Sequence, residues 1–332
     1  MNLGFWEKIS RSASGEKKPI IVLAPMADVT DPAFRRVIAK YGKPDVMWTE
    51  FVSADGLVRA PEVGKQKLLR DLIYTEGERP IIAQFFTSNP DHMEQTARLA
   101  QELGFDGIDI NMGCPDKSIE KQGAGAAMIK NPKNAREVIR GAMRGAGNLP
   151  VSVKTRTGFN TDELDTWLPE LLAENPAVVT IHARTRKEMS KVPARWSDVK
   201  RAVKIRDDLK SKTLIFGNGD LVDVPDALEK IKESGADGVM LGRAIFGNPW
   251  CFDIHSNYGK DISLQKRLEV LIEHTKAYEE LLGDIKSFAI MKKHFKSYIH
   301  HFPEAGELRI KLMETSTAEE VEKVIKEFLN SK

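Results

Sequence analysis

One pattern constrains this chain more than any other: a short apolar run followed by a helical stretch, repeated eight times. The runs are residues 20–23, 46–49, 81–85, 107–110, 151–154, 178–181, 214–216 and 239–241. Each is rich in Val and Ile and reads as a strand buried on both faces. Helical stretches lie between them at 32–40, 90–103, 132–143, 163–173, 197–207 and 225–234. The first opens after Asp31, a good cap, with Pro32 at the first helical position. The second opens after Asn89 and closes at Gly104. The gap from 51 to 75 is the least regular. Eight such units in about 250 residues predict an α/β fold of the TIM (β/α)8 barrel type. An open doubly wound sheet shares the alternation. However, eight strands is the closing number, and no glycine fingerprint follows the first strand.

Beyond Trp250 the pattern turns helical throughout. Residues 263–282 carry Leu264, Leu268, Leu271, Ile272 and Thr275 at three- and four-residue spacing. Helical stretches at 285–301, 304–313 and 318–329 follow. The last is capped by Thr317 with Glu320 three residues on. The expected organisation is an N-terminal extension over 1–18, a barrel domain over 19–255 and a small all-α domain over 262–332.

Composition excludes other classes. Of 332 residues 41% are hydrophobic and 30% charged, which is ordinary for a globular protein. No apolar run approaches the roughly 20 residues of a membrane helix. The first fourteen residues mix Trp6, Glu7, Lys8 and Arg11 and hold no apolar signal core. Two cysteines are expected to make neither a disulfide framework nor a four-ligand zinc site. These features point to a cytoplasmic protein with no membrane segment and no metal site.

In barrels the chemistry lies at the C-terminal ends of the strands. There the chain places Pro25-Met26-Ala27, Glu50, Gln84, Asn111 to Cys114, Lys154 with Arg156, His182 with Arg184, Asn218-Gly219-Asp220 and Gly242-Arg243. The glycines after strands seven and eight suit a phosphate, which barrels commonly hold there, or two tight turns. Lys154 ends an apolar strand, and a buried ammonium needs an anion. That anion is either a reduced flavin or a carboxylate such as Glu50. Gln84 reads as a bond to a heterocycle edge or as a satisfied amide, and His182 as a ligand, a base or a satisfied histidine. Cys114, between a glycine and a proline, is a candidate general acid, since an ordinary thiol keeps its proton at neutral pH. The glycine-rich run 123–126 reads as a flexible lid. Cys251 reads as packing.

These residues carry a family resemblance. Ala24 to Asp31 with Phe34-Arg35, Ala83-Gln84-Phe85, Asp109 to Pro115 and Val153 to Arg156 resemble the tRNA-dihydrouridine synthases. So do Gly217 to Asp220 and Gly242-Arg243 through Gly247 to Trp250. The resemblance implies an FMN-binding barrel and a helical domain that holds tRNA, with NADPH as the hydride donor. It implies that Pro25, Met26 and Ala27 lie against the flavin, and that Gln84 and Lys154 bind its ring. His182, Asn218, Gly219, Asp220, Gly242 and Arg243 would complete the ring and phosphate site. A D-loop uridine would be flipped into the barrel mouth, hydride would pass to C6, Cys114 would protonate C5, and Asn111 would orient the base. The chain departs from the family pattern after strand six, where it reads His182-Ala183-Arg184-Thr185-Arg186 and then Lys187 to Ser190 without the expected aromatic.

Charge suggests where RNA would lie. Residues 183–206 hold nine Lys or Arg against Glu188 and Asp198. Residues 286–301 hold Lys286, Lys292, Lys293 and Lys296 with no acid. Such strips suit a phosphate backbone, as they also suit a solvated helix face. Arg156, Arg184, Arg186, Lys292, Lys293 and Lys296 are the candidate tRNA contacts. Phe295 and Tyr298 read as core. No obligatory protein partner is expected, and the chain reads as a monomer. The rival functions are an FMN-dependent small-molecule pyrimidine dehydrogenase of the dihydroorotate or dihydropyrimidine type, a tRNA-binding protein without chemistry, and a flavin-free phosphate-binding barrel.

Overall fold

The structure, a computed structural model, describes residues 2–11 and 15–331, so part of the expected 1–18 extension lies outside the described residues. Eight parallel strands follow the chain: β1 (Ile20–Leu23), β2 (Met47–Ser53), β3 (Ile81–Phe86), β4 (Gly107–Met112), β5 (Val151–Arg156), β6 (Val178–His182), β7 (Leu214–Asn218) and β8 (Gly238–Leu241). Their order is β1-β8-β7-β6-β5-β4-β3-β2, and every ladder is parallel. The sheet closes where the Leu23 N–H donates to Val46 O (3.2 Å) and the Asp45 N–H to Ile21 O (2.9 Å). This is the expected barrel.

Most strands run one or two residues past their apolar cores. Arg156, His182 and Asn218 are still in the sheet. Polarity ends the sequence signal there, but the backbone continues because each ladder partner is present. Strand β2 overshoots most. Its register shifts between Trp48 and Phe51, and the Thr49 hydroxyl accepts from the Gln84 N–H at 3.1 Å. The irregular 51–75 gap resolves into helices Ala54–Arg59 and Glu62–Asp71, the second with no buried residue and hence no apolar stripe to read.

The barrel floor has a plug. A single helical turn, Trp6–Ile9, inserts Trp6 under the strands, where it is fully buried. Its ring lies edge-on to Phe216 at 5.4 Å and 5.9 Å from Trp48. Beside the plug, at the N-terminal ends of the strands, Lys17 and Lys18 pair with Asp237 and Asp45 at 2.7 and 2.8 Å.

After the barrel come helices Leu264–Leu282, Met291–Tyr298, Ala305–Glu314 and Ala318–Asn330. The single stretch expected over 285–301 is broken, because Ser287 caps a 3-10 turn at Phe288–Ile290 before the helix proper starts. Phe295 and Tyr298 are core, as expected. Helix Leu264–Leu282 packs on helix Pro32–Tyr41, so one apolar core runs from barrel shell to tail. No helix among the described residues is long and apolar enough to cross a membrane.

Trp6→Ala removes a large side chain from a closed pocket, and such truncations cost about 3–5 kcal/mol. A urea melt should show the loss as an earlier midpoint with the slope unchanged. An unchanged midpoint would mean that the plug is not part of the cooperative core.

Candidate active site

Side chains alternate along a strand, so residues two apart share a face. On β3 to β7 the inward face is occupied by Gln84, Asp109 and Asn111, Ser152, Lys154 and Arg156, His182, and Asn218. The ladders set them side by side: Gln84 with Asp109 and Ser152 in one layer, Asn111 with Lys154 above it, and Arg156, His182 and Asn218 at the rim. The rim opens into a cavity of about 290 Å³.

Pro25, Met26, Asn111, Cys114, Lys154, Arg156, His182, Asn218, Gly219, Asp220, Gly242 and Arg243 all line this cavity, with Arg184 at its edge. Two expected residues do not. Ala27 is exposed outside it. Gln84 is fully buried beneath the floor, donating to Asp109 Oδ2 at 2.5 Å and accepting from Asn111 Nδ2 at 3.2 Å. It therefore acts on the cavity through Asn111. Asp109 was not singled out as a site residue, yet it anchors this layer and accepts from Ser152 Oγ at 2.6 Å. Burial pushes its carboxyl up to about 6. The two-residue step back from Asn111 is the sequence signal that would have found it.

Lys154 donates to Asn218 Oδ1 at 3.1 Å and forms no salt bridge among the described residues. Glu50 is not its partner. That carboxylate bonds Lys286 at 3.1 Å, and Lys286 also pairs with Asp71 at 2.7 Å. Burial first, then the nearby Arg156, pulls the Lys154 ammonium down to about 8. Burial likewise holds His182 well below its ordinary value, with Lys154, Arg156 and Arg184 adding to the effect, so its ring is neutral at pH 7. The cavity wall is thus cationic and short of anions.

Asn218 fixes its own amide by donating to Met240 O at 2.7 Å. Gly219 follows at φ 128°, a region closed to side chains, and an added Cβ would meet Ala194 at 2.8 Å. The Asp220 carboxylate bridges Arg184 and Arg243, the second at 2.6 Å. Arg243 is held by that carboxylate at the mouth, with its side chain still 64% exposed.

Cys114 sits on the loop after β4. The Asn111 side-chain oxygen accepts from the N–H groups of Gly113 (3.1 Å) and Cys114 (2.9 Å), which curls the loop over the cavity. Burial raises the thiol above its ordinary 9.0, so it is protonated at neutral pH. The run 123–126, expected as a flexible lid, packs against the Cys114 loop in this structure. The Ala126 N–H donates to Cys114 O at 2.9 Å, and a Cβ on Gly125 would lie 2.8 Å from that oxygen. Its glycine allows close packing behind the thiol. Cys251 is buried, as expected.

The basic strip at 183–206 is mostly spent inside the fold. Arg184 pairs with Asp220, Arg186 with Glu120, Arg195 with Glu188 and Asp198, Arg201 with Asp162, and Arg206 with Asp237. Arg156 donates to the carbonyls of Gly113, Thr185 and Met189 at 2.8 to 3.1 Å, tying the two mouth loops together. The arginines of the window are therefore committed to carboxylates, and its exposed charge is that of Lys187, Lys191, Lys200 and Lys204. In the tail, Lys286 is a half-buried partner of Glu50, Lys292 donates to Met313 O and Lys293 pairs with Asp28 at 3.0 Å. Lys296 is exposed.

Comparison with known proteins fits this geometry. A family model described as dihydrouridine synthase (Dus) matches residues 22–332. A probable tRNA-dihydrouridine synthase 2 of Bacillus subtilis (strain 168) is 38% identical over 330 residues, covering 99% of this chain and 97% of its own. A probable tRNA-dihydrouridine synthase of Staphylococcus aureus (strain COL) is 36% identical over 329 residues, covering 99% and 96%. Among solved structures, histamine dehydrogenase from Rhizobium sp. 4-9 superposes with a TM-score of 0.53 at 13% identity, over 77% of this chain and 48% of its own. The 6-hydroxypseudooxynicotine amine oxidase from Pseudomonas geniculata N1 gives 0.54 at 12% identity, over 80% and 53%. These two likenesses concern the barrel fold alone. With the family match spanning nearly its whole length, the chain belongs to the dihydrouridine synthase family.

Proposed function

We propose that this chain is a cytoplasmic, monomeric tRNA-dihydrouridine synthase that uses FMN and NADPH to reduce the C5=C6 bond of D-loop uridines. The observation that carries the reading is the pairing, in one cavity, of a half-buried lysine with no salt bridge among the described residues and a half-buried thiol that keeps its proton.

The residues fit a bound flavin. An ammonium at the cavity floor, a neutral imidazole, and Arg243 beside the open backbone of Gly219 and Gly242 form a donor set for an electron-rich ring and its phosphate. Lys154, Asn218 and His182 would hold the ring, with Pro25 and Met26 against it. Gly219, Gly242 and Arg243 would take the phosphate. Asp220, already between two arginines, orients Arg243. When bound, the cofactor supplies the hydride for C6 of the uracil.

The chain's own residues do the rest. Asn111, fixed from below by Gln84, orients the base and shapes the Cys114 loop with the same side chain. Cys114 gives its proton to C5. With the arginines of 184–206 largely paired, phosphate contacts fall to exposed lysines such as Lys187, Lys191 and Lys296.

Cys114→Ala should lower single-turnover reduction of unmodified tRNA by about 10²–10⁴-fold, the usual contribution of a general acid, with flavin absorbance retained. Because burial raises the thiol, the acid form persists through neutral pH, and the wild-type rate should fall only as pH rises past 9.0. A variant with full single-turnover rate would remove Cys114 from the mechanism. Turnover of a free pyrimidine with no turnover of tRNA would replace the proposed substrate with that of a small-molecule dehydrogenase.

Lys154→Met should lose FMN and yet stabilise the ligand-free protein by about 1–3 kcal/mol, because a buried charge without an anion is removed. The sign with pH follows from the depressed value. Folding disfavours the cation, so the wild-type deficit is full below about 8 and vanishes as pH rises to 10.5. Denaturation curves of both proteins at low and high pH check it, and a ligand-free variant less stable than wild type would contradict the unpaired ammonium.

A further inference from the structure

The seam between the barrel and the helical tail holds a polar cluster that the proposed reaction does not use. Asp31 caps helix Pro32–Tyr41, His274 lies on helix Leu264–Leu282 and His294 on helix Met291–Tyr298. All three are fully buried. Each carries an uncommitted polar atom: Asp31 Oδ2, His274 Nε2, and both ring nitrogens of His294 have no hydrogen-bond partner. One donor atom from each of the three lies within 4.8 Å of those of the other two. These atoms do not bond one another, although they face one another. Buried polar groups are ordinarily satisfied, so this grouping lacks a common partner.

We propose that Asp31, His274 and His294 bind one zinc-class divalent cation and thereby staple the helical tail to the barrel. The remaining bonds suit that role. Asp31 Oδ1 is committed to the Phe34 N–H at 2.9 Å, which orients the carboxylate and leaves Oδ2 free. His274 Nδ1 lies 3.5 Å from the Tyr298 hydroxyl, the outer partner that a metal-binding imidazole ordinarily has. The Phe34 ring stacks on His274 at 4.7 Å and meets His294 edge-on at 4.9 Å, fixing both rings.

Two imidazole nitrogens and one carboxylate oxygen suit zinc and its neighbours, whereas calcium and magnesium take all-oxygen sets. Tetrahedral bonds of about 2.0–2.1 Å put ligand atoms about 3.3 Å apart, so binding draws the three side chains inward by small rotations. A fourth position remains for a water. Burial keeps both imidazoles neutral, with their lone pairs available at pH 7. It also lifts the Asp31 carboxyl to about 6, so binding in mildly acid solution releases a proton. The cations nearby have their own counterions: Lys286 pairs with Glu50 and Asp71, Arg35 with Glu78, and Lys293 with Asp28.

The site has a consequence for the mouth. Asp31 follows directly on the turn from Pro25 to Thr30 that borders the cavity, and both histidines belong to the tail. A cation there would fix how the tail stands relative to the cavity.

The test uses the full-length protein, treated with chelator and then titrated with Co²⁺ alone. The expected result is one equivalent bound, with the visible ligand-field band of a tetrahedral nitrogen and oxygen site, displaced by Zn²⁺. The melting temperature should rise with Zn²⁺ and fall back with chelator. His294→Gln should keep the circular dichroism of the wild type and lose both the band and the thermal shift. No band at equimolar Co²⁺ with an unmoved melting temperature would overturn the proposal, leaving a cluster bridged by water. A band that survives in His294→Gln would also overturn it, since the ion would then sit elsewhere.

Discussion

Parallel strands satisfy their backbone groups against neighbours, so an eight-stranded parallel sheet keeps two unpaired edges unless its first and last strands meet. Here the two ends meet through a short β1–β2 contact at Ile21, Leu23, Asp45 and Val46. That contact turns a row of strand ends into a ring. Once the ring exists, period-two alternation does the positioning. Every second residue of β3 to β7 points inward, and on β4 to β7 the last inward residues are polar. Cross-strand neighbours such as Asn111 and Lys154, or Arg156, His182 and Asn218, are then brought together by ladder geometry alone. The lower end of the same ring would be a void, and Trp6 fills it.

The interior is graded electrostatically from floor to rim. Asp109 lies in the Gln84 and Ser152 layer as a buried carboxylate, close enough to support the Lys154 ammonium but not bonded to it. Above it the cavity has cations and neutral donors. Among the described residues, the only carboxylate lining the cavity, Asp220, is held between two arginines. An arrangement with more cations than anions is strained until an anion arrives, and this is the usual trade between stability and binding at a functional site. The thiol follows the opposite logic. Its burial favours the neutral form, the form that can give a proton away.

Local signals were legible in the sequence. The eight apolar runs, the caps at Asp31 and Asn89, and the polar residues just past each run identified the barrel and most of the cavity lining. What the sequence hid was pairing at long range. Glu50 stands 236 residues before Lys286, so nothing local says that they meet, and an apparent counterion for Lys154 belongs elsewhere. The basic count over 183–206 misled for the same reason, since Glu120, Asp162 and Asp237, which neutralise three of its arginines, lie outside the counted window. The glycine-rich run after Cys114 was read as freedom of movement, whereas its close approach to the Cys114 carbonyl makes it a packing device.

The tail shows how a second structural layer is made specific to the first. Its apolar face alone would allow it to slide on helix Pro32–Tyr41, because hydrophobic contact is non-directional. Directional contacts remove that freedom. Lys40 and Tyr41 both reach Glu273, Lys286 reaches down to Glu50 in the middle of β2, and Lys293 reaches Asp28 on the turn beside the cavity. Two of these anchors, Glu50 and Asp28, sit within a few residues of Phe51 and Met26, which line the mouth. The orientation of the tail and the shape of the mouth are therefore set by the same residues. A ligand that touched both the tail and the mouth would be placed relative to the thiol by this seam, whose polar contacts give it one register where packing alone would permit several.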